Sequence, residues 1–562
     1  MSGEGGDPRA GRAAAAPGPT SPNGRRPTTG DAYTDGTGSY RPRHERIERG
    51  STIRGERRIR VDVCVIGTGA GGAPVAKELA EGGMRVAMLE EGEQFTTDEF
   101  TARPREMTAR LYRDAGQVTT VGNVPIVMPL GSAVGGTTLV NSGTCFRTPP
   151  PVLEMWRERF GLDELSATEL DPYFRRVERE LNVVQVPPHI AGRNAEVVRR
   201  GVEKLGWSGD FIWRNVRGCV GSGVCNFGCP TSAKQHVGLT YVPRAWDAGA
   251  VTYTGTRARR ITMSKGRARG VEAQTSGGGR LIVQCDTVIV ACGAIHTPLF
   301  LRRQGLGAGS GELGRNLAIH PATAVRALFD ERIDMAKGVP QSYFVDEFAD
   351  EGIMLEGAAG PPDYAAMSLP FAGERHRDLM LRYQHMSQFG LMVSDVSRGW
   401  VRERGGRVEI RYDLCDEDVK TFARGIERLC ELYAAAGATM LYPPVEGVGT
   451  LSPDDLSPLR ERDVRARDLT LMAFHPLGTA RADARPAHGV VDASLRVHGC
   501  EGLYVADGSV VPSSIGVNPQ ITIMALSTRL AYELLEAAPP VGEPEPESIA
   551  QPRITKPHAL TA

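Results

Sequence analysis

No apolar stretch in this 562-residue chain approaches the run of roughly 18 residues that a membrane-spanning helix needs, so no transmembrane anchor is expected. Charge of one sign is missing too. Lys and Arg number 66 against 67 Asp and Glu, a net charge of −1, which gives no electrostatic footing for nucleic acid or an anionic membrane. Large apolar residues are nearly absent from positions 1–57, which are rich in Gly, Pro, Arg and Ala. Such a segment cannot bury enough surface to offset the entropy of ordering, and disorder is expected there and in the Pro-rich tail 538–562. The pairs Arg25-Arg26 and Arg57-Arg58 lack the apolar region of an export signal. Cysteine is sparse, ten in all, and Cys64, Cys145, Cys285 and Cys292 fall in apolar or glycine-rich segments where a thiol acts as a small hydrophobe. A reducing, cytoplasmic location is the expectation. There is no Cys-x-x-Cys-His site for haem attachment and no internal repeat.

Glycine, in contrast, is abundant at 67 residues, and its placement carries the first positive signal. In VDVCVIGTGAGG, Val61, Val63, Val65 and Ile66 read as a buried strand, and Gly67, Gly69 and Gly72 fill a G-x-G-x-x-G spacing. The first glycine permits a tight turn, the second lets backbone approach a pyrophosphate, and the third lets helix and strand pack closely. A helix over about Gly71–Gly83 then aims unpaired N–H groups and partial positive charge at that phosphate. Arg85–Leu89 reads as the next strand, and Glu90 at its end can accept hydrogen bonds from a ribose diol. Strand, loop, helix and acid in this order predict dinucleotide binding, with FAD and NAD both fitting.

Three further glycine-rich segments bear on the choice. PLGSAVGGTTLVNSGTCFRTP (Pro129–Pro149) carries Gly131, Gly135 and Gly136 with Ser132, Thr137, Thr138 and Asn141, small residues that let backbone lie against a large ligand. TVIVACGAIHTPLFLRRQGLG (Thr287–Gly307), with Gly293 in its turn, reads as strand, tight turn and helix. GLYVADGSVVPSSIGVNPQITIMALSTRLAYELL (Gly502–Leu535) reads as strand, loop and long apolar helix. On these segments, with HPLGT (His475–Thr479) and ELGRNLAIHP (Glu312–Pro321), the chain resembles the glucose–methanol–choline (GMC) family of flavin oxidoreductases from about Val61 to Leu535.

The resemblance implies an α/β fold, a Rossmann-like FAD-binding lobe with an interleaved α+β substrate lobe built on an antiparallel sheet. The FAD lobe is placed at 58–325, with a helical insert at 151–214, and again at 465–537; the substrate lobe is placed at 326–464. Within the latter, TAVRALFD and GRVEIRYDL alternate like strands, and Val419, Phe422, Ile426 and Leu429 repeat at helical spacing. FAD would be held by Gly67, Gly69, Gly72, Glu90, Gly131, Ser132, Gly136, Asn141, Gly293, Asp507, Gly508 and Pro519, with Asp507 and Gly508 meeting the ribityl chain.

For chemistry, His475 follows the apolar stretch LTLMAF, at the expected end of a strand. Oxidising an alcohol requires removal of the hydroxyl proton as hydride leaves for flavin N5, and imidazole titrates near the working pH. By resemblance His475 is that base. Asn518 in GVNPQITI is its partner, since an amide can donate to a developing alkoxide without titrating. His320 matches a family motif and is read as structural.

The segment GCVGSGVCNFGCPTSAKQ places Cys219, Cys225 and Cys229 at C-x5-C-x3-C. Two readings stay open. Three closely spaced thiolates can hold a 3Fe-4S iron–sulfur cluster, and the spacing resembles that of bacterial flavin glucose dehydrogenases in the same family. The other reading is a glycine-rich loop with buried or disulfide-paired thiols.

The leading function is FAD-dependent oxidation of a primary or secondary alcohol to an aldehyde or ketone. The partners would be a small-molecule alcohol and an external electron acceptor: dioxygen, a quinone, a dye or a haem protein. An oxygen-using oxidase, an NAD-linked Rossmann dehydrogenase and a non-catalytic flavin protein are the alternatives. Sterols, fatty alcohols and sugars are all open as substrates.

Overall fold

The strand Val63–Ile66 is buried at every position, as a central strand of a parallel sheet must be. In the computed structural model, which describes residues 40, 42–369, 371–540 and 551–557, it lies inside a six-stranded sheet. The strand order is Ile47–Arg49, Val251–Thr254, Val86–Leu89, Val63–Ile66, Thr287–Val290 and Leu503–Val505, and every pairing is parallel. The helix Gly72–Glu81 makes the crossover between the two strands that flank the glycine loop. Its third glycine is required by contact: a Cβ on Gly72 would stand 2.0 Å from the Gly67 carbonyl oxygen. A second sheet, of Thr256–Ser264, Arg267–Thr275, Arg280–Gln284 and Glu56–Arg60, belongs to the same lobe.

The other lobe rests on an eight-stranded, mainly antiparallel sheet. Its path runs Ile126–Val127, Leu471–Ala473, Pro321–Leu328, Met386–Val393, Ile353–Gly357, Tyr343–Val345 and Gly209–Phe211, with Met440–Tyr442 added to the third strand. The helix Asp416–Ala436 buries its Val419, Phe422, Ile426 and Leu429 stripe in the core of this lobe. Among the described residues no helix is long and apolar enough to cross a membrane.

Three expectations need correcting. Disorder does not extend through residue 57, because Ile47–Arg49 and Glu56–Arg60 are strands of the first two sheets. These short pieces are stabilised by pairing with strands some 200 residues away, which their own composition cannot reveal. Residues 1–39 and 41 lie outside the described residues. The tail likewise docks at 551–557: the amides of Arg553 and Thr555 donate to Asp346 and Asp350 at 2.7 Å each, and Gln551 accepts from the Arg147 amide at 2.8 Å. The rest of it, 541–550 and 558–562, lies outside the described residues. The second lobe is also not confined to 326–464, since its sheet takes strands at 126–127, 209–211 and 471–473.

Candidate active site

The carboxyl ends of the parallel strands open into a cavity of about 430 Å³, where Ile66, Leu89, Ala291 and Asp507 stand at its edge. Ligands of open α/β sheets bind at this end of the strands. The cavity continues to one face of the eight-stranded sheet, so a single space joins the glycine loop to the second lobe.

Of the residues expected to hold FAD, Gly67, Gly69, Glu90, Gly131, Gly136, Asn141, Gly293, Asp507, Gly508 and Pro519 all line this space. Gly72 and Ser132 stand behind it; Gly72 serves helix packing, and the Ser132 amide bonds the Leu111 carbonyl at 2.8 Å. The cradle fits a dinucleotide in one testable respect. A Cβ built on Gly69 meets only Gly136 Cα, at 3.9 Å, so the loop's middle glycine faces open cavity. Glu90 is buried and already accepts from Thr68 N at 3.1 Å, Thr68 Oγ1 at 2.7 Å and Gly92 N at 2.9 Å. Burial pushes its carboxyl up, while those bonds pull it down. Asp507 is fixed in the same way, accepting from Gly293 N, Thr297 Oγ1 and Ser509 N at 2.9, 2.5 and 2.8 Å. Asn141 bridges Gln520 at 2.8 Å and the Gly143 amide at 3.1 Å.

At the junction of the lobes, the strand Leu471–Ala473 ends just before His475, and the loop before the helix Gln520–Leu534 brings in Asn518. The two meet with His475 Nε2 at 3.3 Å from Asn518 Nδ2. On its other side His475 Nδ1 lies 3.3 Å from His320 Nδ1. His320 is fully buried with a left-handed backbone, φ +45°, and is pinned by the amides of Ile319 and His320 donating to Asp395 at 3.0 and 3.2 Å. Its Nε2 accepts from the amides of Ile515 and Gly516 at 2.9 and 3.2 Å.

These bonds assign the tautomers. A nitrogen that accepts two main-chain N–H groups carries no proton, so neutral His320 holds its proton on Nδ1 and donates it to His475 Nδ1. Accepting at Nδ1, neutral His475 carries its own proton on Nε2, facing the cavity; Nε2 and Asn518 Nδ2, 3.3 Å apart, are then both donors, and their contact is not itself a hydrogen bond. Burial keeps both rings neutral, pushing His320 down to about 4 and His475 well below the usual range, with the neighbouring ring adding to the effect on His475. In this tautomer His475 presents a donor to the cavity in the resting site, because its other nitrogen is occupied. Two N–H donors, His475 Nε2 and Asn518 Nδ2, converge on a space where one oxygen atom can accept from both.

Beside them stands Glu356, which sequence reasoning missed. Its Oε1 lies 3.4 Å from Asn518 Nδ2, and its buried Oε2 has no hydrogen-bond partner. Burial pushes the carboxyl up to about 7, against the pull of Asn518 and Gln341. The signal was present as a lone acid inside the apolar run GIMLEGAAG. Register sets its neighbours: Glu356 pairs with Gly390, and Gly390 with Ala324, so small residues leave room in front of it.

Of the two readings of the cysteine loop, the structure does not support the iron–sulfur cluster. Among the described residues no three Cys, His, Asp or Glu side chains converge as a metal-holding group, and all ten cysteines are free. The thiols turn to separate partners: Cys225 Sγ accepts from Arg214 Nη2 at 3.2 Å, and Cys229 Sγ from Lys234 N at 3.5 Å. Instead the loop walls the cavity with Gly223, Asn226 and Phe227, and the Asn226 carbonyl accepts from Tyr112 Oη at 2.7 Å.

Comparison with known proteins bears on the chain's family and fold. Two family models described as GMC oxidoreductase match residues 108–322 and 397–527. An uncharacterized GMC-type oxidoreductase of Mycobacterium tuberculosis is 41% identical, over 84% of this chain and 75% of the relative. A long-chain-alcohol oxidase of Arabidopsis thaliana is 27% identical, over 85% of this chain and 68% of the relative. Among solved structures, pyridoxine 4-oxidase from Mesorbium loti shares the fold with a TM-score of 0.66 at 19% identity, covering 85% of this chain and 99% of the other.

Proposed function

The chain belongs to the GMC oxidoreductase family, FAD-binding enzymes that act on CH–OH groups, and from that premise we propose how this site oxidises an alcohol. The carbinol oxygen sits between His475 Nε2 and Asn518 Nδ2 and accepts a hydrogen bond from each. Glu356 takes the hydroxyl proton on Oε2, a buried carboxyl oxygen without a donor. As that proton leaves, the two N–H donors stabilise negative charge on the oxygen, and the enclosed site strengthens both bonds. His320 keeps His475 in the donor form. Gly67, Gly69, Gly131, Gly136, Gly293 and Gly508 line the space that FAD would fill, and FAD when bound would supply the hydride acceptor.

The observation that carries this reading is the convergence of His475, Asn518 and Glu356 in the same cavity as the glycine loop. Anaerobic mixing of the holoenzyme with a panel of alcohols tests it. Bleaching of the flavin absorbance is expected, with His475→Ala slower by roughly 10²–10⁴-fold and Asn518→Ala slowed less. Unchanged bleaching in both variants would place the chemistry elsewhere. Following reoxidation with dioxygen, a quinone, a dye and a haem protein separates an oxidase from a dehydrogenase.

A further inference from the structure

We propose that the alcohol accepted by this cavity is a polyol, carrying a second hydroxyl about 7 Å from the reacting carbinol that is held by Gln388 and Arg326. The inference rests on the reading that the carbinol sits at Glu356.

The antiparallel register lays out the floor of the cavity in rows. One row is Ala324, Gly390 and Glu356; the next, two residues along each strand, pairs Arg326 with Gln388. Both of these line the cavity, with 4% and 2% of their surface exposed. Gln388 Nε2 donates to the Ala358 carbonyl at 2.6 Å, while its buried Oε1 has no donor. Beyond the small residues of the Glu356 row, therefore, the floor presents an acceptor oxygen and a guanidinium side by side.

The chemistry of that row selects its ligand. An alkyl chain laid across it would leave the Gln388 oxygen unmade and desolvated, the costly outcome for a buried polar atom. A carboxylate would meet Arg326 but face the Gln388 oxygen with like polarity. An ammonium group would suit Gln388 but face the Arg326 cation, which burial already pushes down to about 10. A neutral hydroxyl satisfies both, donating to Gln388 Oε1 and accepting from the guanidinium.

The test pairs a terminal diol with the mono-alcohol of the same chain length and adds a pyranose sugar and a long-chain alkanol. Each is titrated calorimetrically into the oxidised holoenzyme and then mixed anaerobically to follow bleaching. The diol or sugar is expected to bind roughly 10- to 100-fold more tightly than the mono-alcohol, the range for one buried hydrogen bond made or left unmade. Gln388→Met should collapse that ratio through KM rather than kcat; Arg326→Gln is the second variant if the first fails to fold. Preference for the long-chain alkanol, or a ratio untouched in both variants, overturns the proposal. A polyol that binds in a Gln388-dependent manner without bleaching would leave the pocket standing and defeat the alcohol-oxidation reading. A mono-alcohol that bleaches while polyols fail to bind would do the reverse.

Discussion

Replacing Glu356 with Gln should make the enzyme slower and, at neutral pH and above, more stable. The side chain keeps its size and its neighbours Asn518 and Gln341, but loses the ability to ionise. In the wild type, burial raises this carboxyl from 4.5 to about 7. Such a shift is worth about 3 kcal/mol at 1.36 kcal/mol per pH unit, an order-of-magnitude figure. The sign follows from linkage: a folded-state pKa above the unfolded value favours the folded chain at low pH, and that advantage is lost as pH rises from about 4.5 through 7. The Gln variant does not pass through this loss. Its stability relative to wild type should therefore climb across that window by up to about 3 kcal/mol and stay flat above it. Over the same window, wild-type flavin reduction should rise with pH as Glu356 becomes a carboxylate, nearly tenfold per unit at the acid end. The variant should be slower by roughly 10²–10⁴-fold and lose that dependence. Glu356→Asp should restore part of the rate and the pH dependence. Denaturant unfolding at several pH values and stopped-flow bleaching are the assays. A variant with wild-type rate and unchanged pH profile would refute the assignment of Glu356 as proton acceptor. A variant with no gain in stability would refute the claim that its carboxyl is held out of water at a cost.

Other consequences are simpler to check. Gly69→Val should fold, since a Cβ there meets only Gly136 Cα at 3.9 Å, yet be purified without flavin absorbance; Gly71→Ala, whose Cβ would stand 1.6 Å from the Ala506 carbonyl oxygen, should fail to fold. His320→Phe removes the proton donated to His475 Nδ1 and should slow flavin reduction about tenfold, the value of one buried hydrogen bond. In the wild type, nitrogen NMR should show His475 protonated on Nε2; a proton on Nδ1 would refute the tautomer chain. Cys225→Ser and Cys229→Ser should leave alcohol-driven bleaching within a few-fold of wild type, because these thiols support the cavity wall; stoichiometric iron in anaerobically prepared wild type would contradict that placement.

The glycine fingerprint, the strand before it and the helix after it were legible because each is a local signal. Gly67, Gly69 and Gly72 declare themselves by their spacing, Gly72 through a contact with Gly67 five residues back, and the 3.6-residue stripe from Val419 to Leu429 announces its own helix. His475 and Asn518 were found through short motifs, again local. What the sequence could not contain was pairing. Ile47–Arg49 is a strand only because Val251–Thr254 lies beside it, and residues 551–557 are held by Asp346 and Asp350. Glu356, Gln388 and Arg326 face one cavity because antiparallel register aligns three strands, and a slip of one residue would turn each away. The tautomer of His320, which faces His475, is set at still longer range, by amides 195 and 196 positions further on. Sequence determined which groups are available for the chemistry. Tertiary structure decided which nitrogen carries the proton and which carboxylate stands beside it, because protonation depends on partners that only the folded chain brings within hydrogen-bond distance.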